Sequence, residues 1–217
     1  MEKLQPNKSR SEVRREPLWF GGVSAAKAPV DIGDLPCRLI EAQYAADLAA
    51  PSRGHDPAAH RQGRIEAVRA VEIAASQTRA LDMEMLVRDA LRAFHFGAAP
   101  GISVGGPLLL VRPPAAILLA LMLQEWATNS IKFGMLAGGA SRPALEIQWT
   151  RTKDHVELIW REHGIAIVQA ADTRRNGFGR AMVERVFPEH LATQSRFSLL
   201  PGGVDCTLIL PNSIAID

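Results

Sequence analysis

The sequence is poor in cysteine and almost balanced in charge. Its 217 residues include only two cysteines, Cys37 and Cys206, whose separation matches no metal-ligand spacing. We therefore expect two reduced thiols, as in a cytoplasmic protein, and not a disulfide-stabilised secreted scaffold. The 25 basic and 23 acidic residues leave a net charge of +2, which gives no reason to expect a nucleic-acid partner.

The chain also lacks a long apolar run. The best candidate, residues 108–123, is interrupted by Arg112 and two prolines, so we expect no membrane span and no membrane partner. The first residues are polar and basic, without the apolar segment that a signal peptide requires. Hydrophobic residues make up 47% of the sequence, which is enough to form the core of one or two domains.

One predicted helix carries a polar stripe that can do chemistry. A double proline opens residues 114–134 and Gly134 closes them, as expected for helix ends. At about 100° per residue, Glu125, Asn129 and Lys132 fall on one side and apolar residues on the other. Asn129 can ligate Mg²⁺, Lys132 can meet a phosphate, and Glu125 can hold a water molecule or act as a base. Spacing alone equally allows a core helix with a solvated polar side.

The order of residues in this helix resembles a known nucleotide-binding motif. Glu125, Asn129, Lys132, Phe133 and Gly134 follow the spelling E-x-x-x-N-x-x-K-F-G, which is similar to the N box of Bergerat-fold ATPases. The wider string LQEWATNSIKFG resembles the HWE / HisKA_2-like group of sensor histidine kinases. W-R-E at residues 160–162 and G-F-G at residues 177–179 follow in the order expected for this family. The resemblance extends over residues 64–211.

The resemblance implies a site for ATP and Mg²⁺. In this family the residue at Glu162 accepts a hydrogen bond from the adenine amine, and a buried carboxylate reads adenine specifically. The alternative is a solvent-exposed glutamate at the end of a strand. Glycines before a helix let the backbone approach a phosphate, and arginines neutralise its charge, although a solvated basic loop explains the arginines equally well. The implied site has Glu125 and Lys132 as catalytic residues, Asn129 as the Mg²⁺ ligand, and Asn129, Phe133, Glu162, Gly164, Arg174, Arg175, Gly177, Phe178 and Gly179 as ATP contacts.

The chain departs from the family pattern at three places. Gln124 stands where the HWE group has a histidine, and the segment after Glu162 contains less glycine than expected. The first helix of such kinases carries the phospho-accepting histidine, but residues 35–50 contain none. His55 lies in a loop broken by proline and glycine, and His60 lies at the start of the next predicted helix. Either is also compatible with a solvated surface residue, so the phospho-acceptor stays open.

Hydrophobic periodicity predicts an α+β fold. Apolar residues at a spacing of three and four indicate helices at residues 35–50, 58–78 and 82–94. Alternating residues indicate one hairpin at 145–160 and another at 196–210, with a helix at 178–187 between them. Residues 101–111 are expected to form an edge strand with a tight Gly105-Gly106 turn, and residues 212–217 a short tail. Together these elements predict a two-layer α/β sandwich of the Bergerat type.

The predicted elements divide the chain into three parts. We expect a flexible basic tail over residues 1–33, a helical dimerisation and phosphotransfer-like hairpin over 34–97, and an ATP-binding domain over 98–217. Two helices from one chain bury little surface, so a second copy is expected to complete a four-helix bundle. The alternative is a monomer whose helices fold back on the ATPase half.

Three functions fit these observations. The first is a histidine kinase that binds Mg·ATP and passes the γ-phosphoryl group to an imidazole and then to a response regulator. The second is a degenerate kinase that acts as a dimeric adaptor and binds a regulator without transferring phosphate. The third keeps the ATPase and changes the acceptor, as in anti-sigma serine kinases. The helices before residue 97 resemble a dimerisation stem, which favours the first two.

Overall fold

The helices follow the predicted segments closely. The structure is a computed structural model that describes residues 19–20, 32–49, 56–95, 100–137, 144–164, 179, 182–200 and 202–216. Its α-helices are α1 (Leu35–Ala49), α2 (Pro57–Gln77), α3 (Met83–Arg92), α4 (Pro113–Phe133) and α5 (Phe187–Leu191). A π-helical turn, Met182–Val186, precedes α5, and short 3-10 turns span Met135–Ala137 and Asn212–Ile214. The first four helices confirm the predicted segments to within two residues at each end.

Side chains set the starts of two helices. The Asp56 carboxylate accepts from the backbone N–H groups of Ala58 and Ala59, and Pro57 occupies the first position of α2. The Asp82 carboxylate accepts from the N–H of Glu84 at the start of α3. Each bond satisfies a backbone donor that has no partner within its own helix.

The strands form one large sheet and one small sheet. They are β1 (Trp19–Phe20), β2 (Leu81–Asp82), β3 (Ile102–Gly105), β4 (Leu110–Val111), β5 (Ala144–Arg151), β6 (His155–His163), β7 (Gln194–Leu200), β8 (Gly203–Pro211) and β9 (Ala215–Ile216). The large sheet has the order β1-β7-β8-β6-β5-β3, and the small sheet has the order β2-β4-β9. Both predicted hairpins, β5–β6 and β7–β8, are confirmed, and among the described strands only β3 runs parallel to its neighbour.

The prediction of a tight hairpin turn at Gly105-Gly106 is wrong. Gly105 and Gly106 do not connect two paired strands, because β3 pairs with β5 and β4 leaves for the small sheet. A Cβ at Gly106 would collide with the Trp149 ring, whose Nε1 donates to the Pro107 carbonyl at 2.7 Å. Glycine is therefore needed here for a close approach of backbone to ring and not for a hairpin turn.

The end of the chain is not a free tail. Residues 212–214 form a 3-10 turn, and Ala215 and Ile216 pair with Val111 and Leu110 of β4. Trp19 and Phe20 pair with Ser195 and Arg196 of β7, so part of the predicted N-terminal tail is docked as a strand. The rest of residues 1–31 lies outside the described residues.

Helix α4 lies at the centre of the molecule. Residues 118–127 are all buried, including the polar side chains of Gln124 and Glu125. On one side α4 faces the sheet, where the ring centroids of Trp126 and Trp160 are 5.8 Å apart. On the other side it is covered by α2 and α3. The predicted helix-on-sheet sandwich is confirmed, and the preceding helices add a further layer to it.

The contacts of α3 bear on the predicted domain division. Leu81 and Asp82 of β2 pair with β4, and the Met83 N–H donates to the Leu109 carbonyl at 3.0 Å. Helix α3 also packs against α4. The division at residues 97 and 98 stays a prediction.

Candidate functional site

The polar stripe of α4 lies under helix α2. A Cβ at Gly63 would be 2.7 Å from Gln124 Nε2, so the glycine allows the two helices to approach closely at this point. One residue further along each helix, Arg64 Nε donates to Glu125 Oε1 at 2.7 Å. The predicted catalytic carboxylate is therefore in contact with an arginine of the predicted stem.

Arg64 joins three helices through a buried ion pair. Its side chain is 3% exposed, and besides Glu125 on α4 it meets Asp47 Oδ2 on α1 at 3.5 Å. A buried charge left without its partner is costly, so this contact fixes the position of α2 relative to α4. Glu125 can still use its remaining lone pairs, because a carboxylate accepts at about four sites.

Lys132 lies two turns after Glu125 on α4, next to His60 of α2. Its Nζ is 3.5 Å from His60 Nδ1, and both residues are half-buried. Burial lowers the pKa of Lys132 from its usual value, and the nearby carboxylates of Glu125 and Asp47 oppose that shift. A partly desolvated ammonium interacts more strongly with an anion than one in water does.

Asn129 is the exposed member of the stripe. It lies on α4 next to Gly179, the last glycine of the G-F-G motif. A Cβ at position 179 would be 3.5 Å from Glu125 Cβ and 3.6 Å from Asn129 Nδ2. The fold thus brings together two motifs that are 50 residues apart in the sequence.

Glu162 is buried near the end of β6 and makes two internal hydrogen bonds. Its Oε2 accepts from the Met135 N–H at 2.7 Å, and its Oε1 accepts from Trp160 Nε1 at 2.9 Å. A Cβ at Gly134 would collide with Oε2, so the carboxylate lies directly against the end of α4. The expectation of a buried carboxylate is met, and the alternative of an exposed strand-end glutamate is wrong. Whether Glu162 binds adenine stays a prediction.

The other predicted contacts are only partly within the described residues. Gly164 follows β6 with a φ of 77°, a backbone conformation that favours glycine. Phe133 is the last residue of α4, and His60 lies in the first turns of α2. The predicted contacts that lie outside the described residues are His55, Arg174, Arg175, Gly177 and Phe178.

The donor set fits Mg²⁺ held mainly by a nucleotide. Within the described residues, no cluster of three His, Cys, Asp or Glu side chains is placed to hold a metal. Mg²⁺ at nucleotide sites keeps several waters and uses one or two protein oxygens together with phosphates. The exposed Asn129 beside Gly179 offers one such oxygen, so the residues present fit this type of site.

Sequence reasoning missed Arg64. The buried residues of α2 are Arg64, Val68 and Val71, which recur at a spacing of four and three. This spacing places a cation on the apolar face of the helix, and a buried cation requires an acidic partner. That signal was present in the sequence, but only the structure shows that the partners are Glu125 and Asp47.

The chain is similar in sequence to named histidine kinases. Blue-light-activated histidine kinase 1 of Erythrobacter litoralis is 31% identical over 101 residues, which are 45% of this chain and 28% of that protein. The blue-light-activated histidine kinase of Brucella ovis is 28% identical over 134 residues, or 59% of this chain and 26% of that protein. The matches therefore span little more than a quarter of these relatives. No protein-family model matches the chain.

Solved structures identify the fold. The histidine kinase domain of a blue-light-activated histidine kinase from Erythrobacter litoralis superposes with a TM-score of 0.57 at 16% identity, covering 82% of this chain and 85% of that one. A longer structure of a blue-light-activated histidine kinase from the same organism gives a TM-score of 0.54 at 14% identity, covering 85% and 65%. The chain is thus similar in sequence to named histidine kinases over part of its length, and it has the Bergerat-type fold of a histidine kinase domain.

Proposed function

We propose that the protein binds Mg·ATP and acts as a histidine kinase in two-component signalling. The observation that carries this proposal is the position of Gly179 against Asn129 and Glu125. A triphosphate site needs an amide that can bind the metal on one side of the phosphates. On the other side it needs a glycine at which the backbone can approach a phosphate. Their contact supports a nucleotide site at this end of α4.

Each residue has a distinct role in the proposed site. Asn129 would hold Mg²⁺, which neutralises phosphate charge when it is bound. Lys132 would meet a phosphate oxygen with its ammonium group. Glu162, next to Gly134 and Gly164, would mark the adenine end, with lone pairs left over from its two internal bonds. Phosphoryl transfer mainly requires positioning and charge neutralisation, which these residues supply.

The proposal includes a partner, a second copy and a location. A kinase of this kind passes its phosphoryl group to the receiver domain of a response regulator. We expect α1 and α2 to pair with the same helices of a second copy. None of the described helices combines the length and apolar character needed to cross a membrane. The dimer, the receiver partner and a cytoplasmic location stay predictions.

A second candidate is a dimeric adaptor that transfers no phosphate. Two contacts favour it: Arg64 occupies one oxygen of Glu125, and Glu162 uses both oxygens within the protein. A carboxylate oxygen that already accepts from an arginine is less available to position a water molecule. In this function the Bergerat fold would serve as a binding surface only.

Incubation of the full chain with γ-³²P-labelled ATP and Mg²⁺ separates these functions. The kinase predicts label on the protein that is lost in acid and kept in base, as expected of a phosphohistidine. An adaptor predicts no label on the chain or on an added receiver domain. Acid-stable label on an added protein would instead identify a serine kinase and contradict the proposal.

A further inference from the structure

A line of polar side chains runs from α1 to the predicted catalytic carboxylate on α4. On α1, Gln43 Nε2 donates to Asp47 Oδ1 at 2.6 Å. Arg64 of α2 comes next. Its Nη1 lies 3.5 Å from Asp47 Oδ2, and its Nε donates to Glu125 Oε1 at 2.7 Å. Three helices therefore meet through Arg64.

The line is withdrawn from water where it reaches α4. The side chains of Arg64, Glu125 and Asp47 are 3%, 9% and 12% exposed. Charges in such surroundings interact more strongly than charges in water and are screened less by salt. The three charged groups are therefore held in one arrangement, unlike the exposed Arg61–Glu41 pair near the start of α2.

An arginine can define the direction of a carboxylate in a way that a lysine cannot. The guanidinium group is planar and its N–H donors point in fixed directions, whereas an ammonium group rotates about a single centre. Asp47, at Nη1, sets the plane of the Arg64 group, and that plane sets the direction of the Nε–H bond to Glu125. The last torsion of a glutamate side chain is broad when nothing holds it. The bond to Arg64 therefore fixes the plane of the Glu125 carboxylate.

The Glu125 side chain begins beside the glycine of the proposed triphosphate site. A Cβ at Gly179 would be 3.5 Å from Glu125 Cβ and 3.6 Å from Asn129 Nδ2. A group at this position acts on a bound nucleotide only when its orientation is right, because a misplacement of about 1 Å can slow a reaction about a hundredfold. The orientation that Arg64 gives to Glu125 therefore has a consequence for the rate.

We propose that Arg64 is a positioning residue for phosphoryl transfer, which orients the Glu125 carboxylate for the bound nucleotide and is itself oriented by Asp47. This inference rests on the proposed function, in which the triphosphate lies beside Gly179 and Asn129. Arg64 acts through Glu125 and does not touch the nucleotide. Through this line of contacts, α1 influences the rate of a reaction that takes place on α4.

NMR of the arginine side chains tests the geometry without relying on activity. In the full chain labelled with ¹⁵N-arginine, we expect a slowly exchanging Nε–H signal for Arg64, because this group is buried and hydrogen-bonded. The signal is assigned by its loss in Arg64→Lys. Asp47→Asn and Glu125→Gln should each shift it, while Glu41→Gln, which changes the partner of Arg61, should not. A signal that exchanges as fast as that of Arg61, or that does not respond to Asp47→Asn, overturns the proposal.

The rate of labelling and the affinity for nucleotide separate positioning from a purely structural role. Arg64→Lys keeps the buried cation but lacks the fixed Nε–H, and Asp47→Asn keeps the shape of a residue closer to the surface. At saturating γ-³²P-ATP and Mg²⁺, we expect each variant to be labelled at least about tenfold more slowly than wild type. The Kd for a non-hydrolysable ATP analogue should stay within about twofold of wild type, because the interaction lost is one made in the transition state.

Controls on the same helix and on folding accompany these rates. Arg61→Lys, the matched change at an exposed ion pair, should be labelled at the wild-type rate. Urea unfolding measures whether each variant is folded under the assay conditions. Asp47→Asn carries the test if Arg64→Lys is not folded, because it leaves the buried guanidinium in place.

The outcomes distinguish this role from the kinase function itself. Slow labelling with an unchanged Kd supports the positioning role. Labelling of Arg64→Lys and Asp47→Asn at the wild-type rate overturns this role and leaves the proposed kinase in place. A weaker Kd with an unchanged rate at saturation also overturns it, because the contact then serves binding only. A wild-type protein that takes up no label overturns the kinase and this role together.

Discussion

Glu162 illustrates how one residue serves the fold and a predicted ligand. Sequence similarity predicts that its carboxylate reads adenine, and the structure shows the same group accepting from Met135 N–H and Trp160 Nε1. Both bonds are buried: the one from Met135 connects the end of α4 to β6, and the one from Trp160 lies within β6 and orients the carboxylate. A substitution here therefore has a structural effect whether or not adenine binds.

We predict that Glu162→Gln lowers the free energy of unfolding by about 1–3 kcal/mol, because the amide has one acceptor oxygen and its NH₂ group would face a buried donor. Urea unfolding followed by circular dichroism measures the change. Glu157→Gln, on the opposite face of the same strand, is the matched control and should change stability little. Equal stability of Glu162→Gln and wild type would show that the two bonds contribute nothing.

The sequence identifies single residues well where a motif carries them. The spacing of Glu125, Asn129 and Lys132 predicts a shared face of α4, and the structure places all three on it. What the spacing cannot show is the environment of each residue. Asn129 is exposed, whereas Glu125 is paired with Arg64 and Lys132 contacts His60, because a helix distant in sequence covers only part of this face.

At the scale of elements, the packing of α2 on α4 is the main arrangement that sequence patterns miss. Periodicity predicts both helices, but it does not say which faces meet. The close approach at Gly63 and the buried pair one residue later define the crossing point. Short strands are missed for a related reason. A two-residue strand such as β9 has no visible alternation, and its pairing depends on β4, about 100 residues earlier.

We predict that Arg64→Met lowers the free energy of unfolding by about 3–5 kcal/mol, because it removes the buried cation that is hydrogen-bonded to Glu125. Adding Glu125→Gln should recover part of this loss, so the two changes together cost less than their sum. Urea unfolding of the two single variants and the double variant measures the coupling. Arg61→Met serves as the control on the same helix, because the Arg61–Glu41 pair is exposed, and it should have little effect. Additive effects of Arg64→Met and Glu125→Gln would contradict the pair.

At the scale of the whole molecule, the chain has the fold of a histidine kinase domain, with α2 and α3 packed on α4. The predicted class of fold is confirmed by the structure and by the structural neighbours. The contact between α2 and α4 brings His60 next to Lys132, on the face of α4 that also carries Asn129, the predicted Mg²⁺ ligand. The matched relatives are much longer than this chain.

Calorimetric titration of the full chain with ATP and Mg²⁺ tests the central claim most directly. We predict saturable binding to wild type that is lost when EDTA removes Mg²⁺, and an affinity at least about tenfold lower, or about 1.4 kcal/mol, for Asn129→Ala. Gln148→Ala, which removes an exposed amide on β5, should bind like wild type, and all three proteins should unfold at the same urea concentration. Equal affinity of Asn129→Ala and wild type, or no binding to wild type, would contradict a nucleotide site at Asn129.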